Sequence, residues 1–273
     1  MRAGHRAFGS AACLAVLQLG LALPALAEAG VPAAETSTPS AHSPDPLFDD
    51  DDEDAEGASR GFPDPWEATN RGVLGFNALA DRFFLDPLTH AYRLVFPDPV
   101  RKAVLRFFWN LDTPPIFLND ILQLEWKDAG VTGARFLVNS TVGLAGFFDP
   151  ATSIGLERHV SDFGQTLALA GVPSGNYVVL PLLGPSCIRD GVGIATDLAM
   201  RPLIYILTPV GLIAYGGSVG LTTREAYMDA IGELQDSSID YYAVLRNVYY
   251  QSRLEAVWGR RQDRGPEAVA ALR

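Results

Sequence analysis

The chain has little of what usually does chemistry. Its 273 residues include four histidines, two cysteines and three methionines. No C-x-x-C, H-E-x-x-H or G-x-x-x-x-G-K-[ST] string occurs, which removes the zinc-knuckle, zincin and P-loop motifs from consideration. Cys13 falls within an apolar leader, so Cys187 stands alone in the mature chain and a disulfide-stapled scaffold is excluded. No histidine follows Cys187, which therefore reads as a small buried hydrophobe and not a catalytic thiol. His90 and His159 lie far apart in sequence and are weak grounds for a metal site. Positive charge is also scarce: 21 Lys and Arg stand against 32 Asp and Glu, for a net charge of -11. With no basic face to neutralise phosphates along a strand, nucleic acid binding is excluded.

The acidity is concentrated in one place. Residues 28–60 carry ten acids against the single Arg60, including the run Asp49 to Asp54, and they are rich in Ala, Pro and Ser. That composition predicts an acidic disordered linker over 28–61. The Asp run lacks the glycine and terminal glutamate spacing of an EF-hand. Upstream, Arg2 and Arg6, the apolar Ala11 to Leu23 and the A-x-A site at Ala25 to Ala27 predict a signal peptide over 1–27 and export. Cys13 precedes most of that apolar stretch. Lipidation there would leave Leu14 to Ala27 as an apolar tail, so the expected mature N-terminus is Glu28 and the sequence argues against a lipid anchor.

The folded domain is expected over 62–259, mainly helical, with a flexible tail over 260–273. Asp98 and Pro99 can open a helix on which Val100, Ala103, Val104, Phe107 and Phe108 share one face. Leu105 and Trp109 widen that apolar arc, which points to a second apolar contact with core, lipid or a partner. Further helices are expected from Thr113 to Leu124 and from Trp126 to Asn139. Glycines then punctuate the chain through Gly184, predicting a hairpin or loop excursion with a short helix near Phe163 to Ala170 and an extended piece at Tyr177 to Leu183. The run Leu203 to Tyr215 is strongly apolar but too short to span a bilayer, which needs about 20 residues. It suits one leaflet or a core wall. Ser237 and Asp240 have capping-box spacing before a helical stripe of Tyr241, Val244, Leu245, Val248 and Tyr249.

One enzyme string is present. Gly216 to Gly220 reads G-x-S-x-G, but a hydrolase of that kind places its histidine after the serine, and no histidine follows Ser218. A Gly-rich turn is the expected structure. Asn139 to Thr141 matches a glycosylation sequon, a string short enough to occur by chance, and Arg189 with Asp190 reads as an ion pair.

Several unusual blocks occur in one order: DPWEATNR and FNALAD between Asp64 and Asp81, NLDTP at Asn110 to Pro114, GFFDP at Gly146 to Pro150, and DFGQTL through VLPLLGPSCIRD up to Asp190. Over roughly residues 62–255 this series closely resembles the MlaA (VacJ) family of outer-membrane phospholipid-transport proteins. The resemblance implies a ring-like bundle of amphipathic helices in the inner leaflet of the outer membrane, on its periplasmic side. It also implies an amphipathic channel that takes phospholipid from the outer leaflet to a periplasmic carrier of the MlaC type, in association with a trimeric porin. No cofactor, metal or catalytic residue is implied, and the chain is expected not to be an enzyme. Two alternatives remain: an envelope structural protein that binds porin, or a lipid hydrolase using Ser218.

Two sets of residues are singled out. Leu203, Ile206 and Trp109 are expected to face the membrane. The Gly-punctuated segment from about Thr141 to Pro185, with Gly143 and Gly146, is the candidate gating hairpin, because the resembled family carries a mobile loop beside its channel and glycine permits backbone conformations other residues resist.

Overall fold

Residues 62–263 are described by a computed structural model. The signal peptide, Cys13, the acidic linker and the tail beyond Asp263 lie outside the described residues. The chain is mainly helical, as expected. Helix α1 (Glu67–Ala80) runs through a five-residue π turn (Asp81–Leu85) directly into α2 (Asp86–Val95). Then follow α3 (Asp98–Leu111), α4 (Thr113–Leu122), α5 (Trp126–Thr141), the single turn α6 (Pro150–Ser153) and α7 (Phe163–Leu169). A two-stranded antiparallel hairpin, β1 (Tyr177–Leu180) and β2 (Gly184–Cys187), precedes α8 (Ile188–Met200), the short α9 (Leu203–Ile206), α10 (Pro209–Ser237) and α11 (Tyr241–Asp263).

Local chemistry accounts for most boundaries. Pro99 and Pro114 sit in the first turns of α3 and α4, where a missing N–H costs nothing. Helix α4 stops two residues before the expected Leu124, which adopts a left-handed φ of 60°. Asp162 caps α7 by accepting the Gln165 N–H at 2.8 Å, and Thr208 caps α10 through the Gly211 N–H at 3.2 Å. Asp240 caps α11 itself, accepting the Ala243 N–H at 3.3 Å. The buried stripe of α11 then falls on Tyr242, Leu245 and Tyr249, so its first member lies one residue beyond the expected Tyr241.

The expected turn at Gly216 to Gly220 is not a turn. It lies inside the 29-residue helix α10, where Tyr215, Gly216, Val219 and Gly220 form a buried face at helical spacing. Small residues on that face let the helix pack closely, and tertiary packing outweighs the low helix propensity of glycine. Ser218 is exposed mid-helix, without the strand-to-helix turn that a nucleophile elbow requires.

The excursion between α5 and α8 carries the expected short helix and extended piece, though it is not a single hairpin from Thr141 to Pro185. It comprises a series of turns, α6, α7 and the β1–β2 hairpin. Helix α7 packs tightly on α8 because Gly164 meets Gly193: a Cβ on Gly193 would stand 2.5 Å from the Gly164 nitrogen. One core cluster gathers Phe62, Tyr177, Val179, Cys187, Tyr242 and Tyr249. A second joins Phe108, Leu198, Tyr215 and Val219, with Leu203 packed against it.

Candidate functional site

Two adjoining cavities share Trp109, Ile116 and Arg158 as common walls. The larger, about 110 Å³, opens among α3, α4, β2, α8, α10 and α11. The smaller, about 40 Å³, lies among α3, α4, α5 and the turns that follow. Phe108, Trp109, Ile116 and Val219 make their walls greasy, while a dense set of paired charges makes them polar. The Arg158 guanidinium lies 4.3 Å above the Trp109 ring, a cation–π contact on the shared wall.

The smaller cavity is built on the GFFDP block. Asp149 receives hydrogen bonds from Arg135 at 3.0 Å, Asn139 at 3.0 Å and the Thr152 hydroxyl at 2.7 Å. Burial raises the Asp149 pKa, but the hydrogen bonds from Thr152, Asn139 and Arg135 outweigh it and bring the carboxyl down to about 2. Behind it, Asp120 accepts from the Thr132 hydroxyl at 2.7 Å, and His159 Nε2 lies 2.9 Å away. His90 is exposed on α2 and does not meet His159. Among the described residues no group of three His, Cys, Asp or Glu could hold a metal.

In the larger cavity Arg253 pairs with Asp162 at 2.6 Å and with Asp190 at 2.8 Å. Asp190 also accepts from Arg189 at 3.0 Å and from the Tyr249 hydroxyl at 2.6 Å. Arg189 and Asp190 are thus structural, as expected. Asp197 accepts from Asn119 at 2.7 Å and from the Phe163 N–H at 3.1 Å. Burial, reinforced by repulsion from Asp162, still pushes its carboxyl up to about 7. Cys187 is fully buried, and burial lifts its thiol to about 11, so it behaves as a core side chain.

The decisive comparison is with a family. A family model for the MlaA lipoproteins matches residues 62–256. The chain belongs to the MlaA family. A protein from Shigella flexneri named intermembrane phospholipid transport system lipoprotein MlaA is 33% identical over 196 residues, 70% of this chain and 77% of that protein. The protein of the same name from Escherichia coli K12 is 32% identical with the same coverage. An uncharacterised protein from Rickettsia bellii is 33% identical over 195 residues, 71% of this chain and 76% of that one. A solved structure concerned with the structural basis for maintenance of bacterial outer membrane lipid asymmetry superposes with a TM-score of 0.61. It is 32% identical and covers 69% of this chain and 96% of its own.

The MlaA-family fold disperses the residues singled out in sequence. Trp109 is part of the cavity wall, because the arc it widens faces α4 and the segment carrying Arg158. Leu203 is partly buried against the second core cluster. Ile206 is 73% exposed beside Tyr205 at 75%. Gly146 borders the smaller cavity and Gly143 lies in the same turn series. A Cβ on Gly143 would come 2.5 Å from the Asn139 carbonyl oxygen, and one on Gly146 would come 2.4 Å from Asn110 Cβ. Between them Leu144 and Ala145 both adopt positive φ, 52° and 60°. The MlaA-family turn is therefore closely packed, pinned by Asn110 Nδ2, which donates to Ser140 Oγ at 2.9 Å and to the Ala145 carbonyl at 3.3 Å.

The sequence reading missed other features of this chain. Arg201, Asp197 and Asp112 on the larger cavity are ordinary residues in sequence, and only the fold brings them together. The exposed aromatic pair Phe83 and Phe84 also passed unnoticed. Two adjacent phenylalanines beside a helix boundary were the available signal.

Proposed function

We propose that the chain transports phospholipid across the cell envelope, removing it from the outer leaflet of the outer membrane and passing it to a periplasmic carrier. What carries this reading is the pair of adjoining cavities, polar in their charge networks and apolar in their walls. A path of that kind satisfies a headgroup that would be costly to bury unpaired. Acyl chains need apolar surface, and the fold offers it on the outside: Phe83, Phe84, Leu88, Leu94, Tyr205, Ile206 and Val210 are all more than half exposed. No described helix is long and apolar enough to cross a membrane. Exposed apolar side chains on such helices fit immersion in one leaflet.

Within this reading the protein sits at the outer membrane on its periplasmic side, next to a trimeric porin, and hands lipid to a carrier of the MlaC type. It performs no covalent chemistry on the lipid. The turn carrying Gly143 and Gly146 acts as the gate, since it borders a cavity and holds two non-glycine residues at positive φ, a strained arrangement. Asn110→Ala unpins that turn. Altered outer-leaflet phospholipid at normal protein abundance supports a gate, and unchanged phospholipid in an abundant, stable variant removes it.

The transport reading is tested by lipid mass spectrometry of the protein purified from membranes, together with outer-leaflet phospholipid measured in a deletion strain. Co-purified phospholipid and raised surface phospholipid are expected. A protein that binds porin but carries no lipid would be a structural envelope component. Phospholipid hydrolysis lost in Ser218→Ala would make it an enzyme.

A further inference from the structure

Arg201 is a cavity cation whose hydrogen-bond donors the described residues leave unmet. It caps the C-terminal end of α8 and lines the larger cavity. It is only 2% exposed, yet Nε, Nη1 and Nη2 all lack a hydrogen-bond partner. Nη2 stands 3.2 Å from Asp112 Oδ1, close enough to attract but not aligned to hydrogen-bond. Asp112 in turn accepts from the Tyr215 hydroxyl at 3.2 Å. A guanidinium presents five donors in a planar fork, and burying them without acceptors is costly. The contrast with Arg253, which holds Asp162 and Asp190 across the same cavity, makes the open fork of Arg201 a local property.

We propose that the larger cavity is a phosphate-ester subsite in which the Arg201 guanidinium holds the phosphate group. A tetrahedral phosphate offers the two parallel acceptors that a planar fork matches, which a lysine would not do as well. The charge balance further selects the ligand. Asp162 and Asp190 are neutralised by Arg253 and Arg189, which leaves Asp112 and Asp197 facing Arg201 and Arg158. Adding a dianion there is unfavourable, whereas a zwitterionic headgroup brings its own cation, which Asp197 on the same wall can receive while the phosphate displaces Asp112 from Arg201. The subsite therefore favours a phosphoethanolamine-type headgroup over an anionic lipid headgroup and over free phosphate. This rests on the phospholipid reading above, and the test separates the two.

The full chain, purified in a non-ionic detergent free of phosphate, is titrated calorimetrically with dihexanoyl-phosphatidylethanolamine, dihexanoyl-phosphatidylglycerol and inorganic phosphate. The ethanolamine lipid is expected to bind tightest, and Arg201→Gln to weaken it by about tenfold or more, the scale of losing hydrogen bonds to a charged group. Asp112→Asn keeps an acceptor for the Tyr215 hydroxyl but removes the competing charge, and is expected to tighten binding. A purely structural Arg201 would make both variants less stable without opposite effects on affinity. If inorganic phosphate alone binds in an Arg201-dependent way, and the wild type carries no lipid by mass spectrometry, the Arg201 anion contact stands but the phosphate-ester preference and the transport reading both fall. If the wild type and a folded Arg201→Gln carry and bind lipid equally, the subsite is overturned and the transport reading stands. Should Arg201→Gln not fold, Asp112→Asn decides: unchanged or weaker binding overturns the proposal. Tighter binding of the glycerol lipid than of the ethanolamine lipid overturns the charge-balance preference.

Discussion

Asn70 Oδ1 accepts the Val179 N–H at 2.9 Å while Nδ2 donates to the Tyr177 carbonyl at 3.1 Å and to Asp64 at 2.8 Å. Two turns along the same helix, Asn77 repeats the arrangement with the Leu182 N–H at 2.7 Å and the Leu180 carbonyl at 3.0 Å. A helix side chain thus completes the backbone pairing along β1. Asn70→Ala leaves buried backbone groups unpaired, at about 1–3 kcal/mol each, and should lower the urea midpoint markedly. Asp197 gives a second prediction. Its folded pKa of about 7 lies above its ordinary 3.8, so the folded state holds the proton more tightly than the unfolded one. Stability is therefore highest below pH 3.8 as far as this group is concerned, and falls as pH rises from there through about 7, by on the order of 1 kcal/mol per pH unit. Asp197→Asn retains the acceptor for Asn119 and Phe163 and abolishes that fall. Urea unfolding at pH 5 and pH 8 should show the variant gaining on the wild type at the higher pH.

Among the elements, the turn after α5 and the π turn after α1 respond to substitution in different ways. Gly143→Val and Gly146→Val drive a branched side chain into backbone and Asn110, so both should be destabilised and poorly recovered, as thermal melts of the purified variants would register. Phe84, 75% exposed on the π turn, supports no core. Phe84→Asp should leave the melting temperature nearly unchanged yet weaken binding to phospholipid vesicles by roughly tenfold or more, the worth of one buried aromatic. Leu203→Asp should do the reverse and unfold the domain, because Leu203 packs on Phe108, Leu198, Tyr215 and Val219.

The same contrast explains what could be read from the sequence. Helices α3, α4 and α11 were visible because their start signals or apolar spacing are local. The continuous α10 was not: its Gly216 to Gly220 looks like a break until a neighbour fills the space the missing side chains leave. Leu203 and Ile206 could not be told apart, since periodicity marks a residue as apolar without saying which apolar medium it meets. Trp109 looked outward for the same reason. The family blocks were legible as strings, but their work is long-range. Asp149 and Arg135, or Asp162 and Arg253, meet only after folding.

On the scale of the whole molecule, α11 closes the structure. It supplies Tyr242 and Tyr249 to the cluster around Phe62 and Tyr177, Arg253 to Asp162 and Asp190, and Arg246 to Asp64 at 3.3 Å. A chain ending at Asp240 would expose that cluster, take the arginine partners of Asp64 and Asp162 away and leave Asp190 with Arg189 alone, a loss of several kcal/mol. It should be digested rapidly in limited proteolysis under conditions where the full chain resists.

The Asn70 clamp also sets a timetable. Its partners in β1 lie 107 and 109 residues further along the chain, and Asp64 reaches Tyr242 and Arg246 across 178 and 182. Contacts at such separation form slowly, because a long loop must close before they repay its entropy. A polypeptide emerging amino end first therefore presents α1 long before the residues that pair with it have been made. Phe62, buried at 6% in the finished fold, spends that interval uncovered. The first described helix is therefore late to complete its packing, which waits until the chain has been made as far as Tyr249.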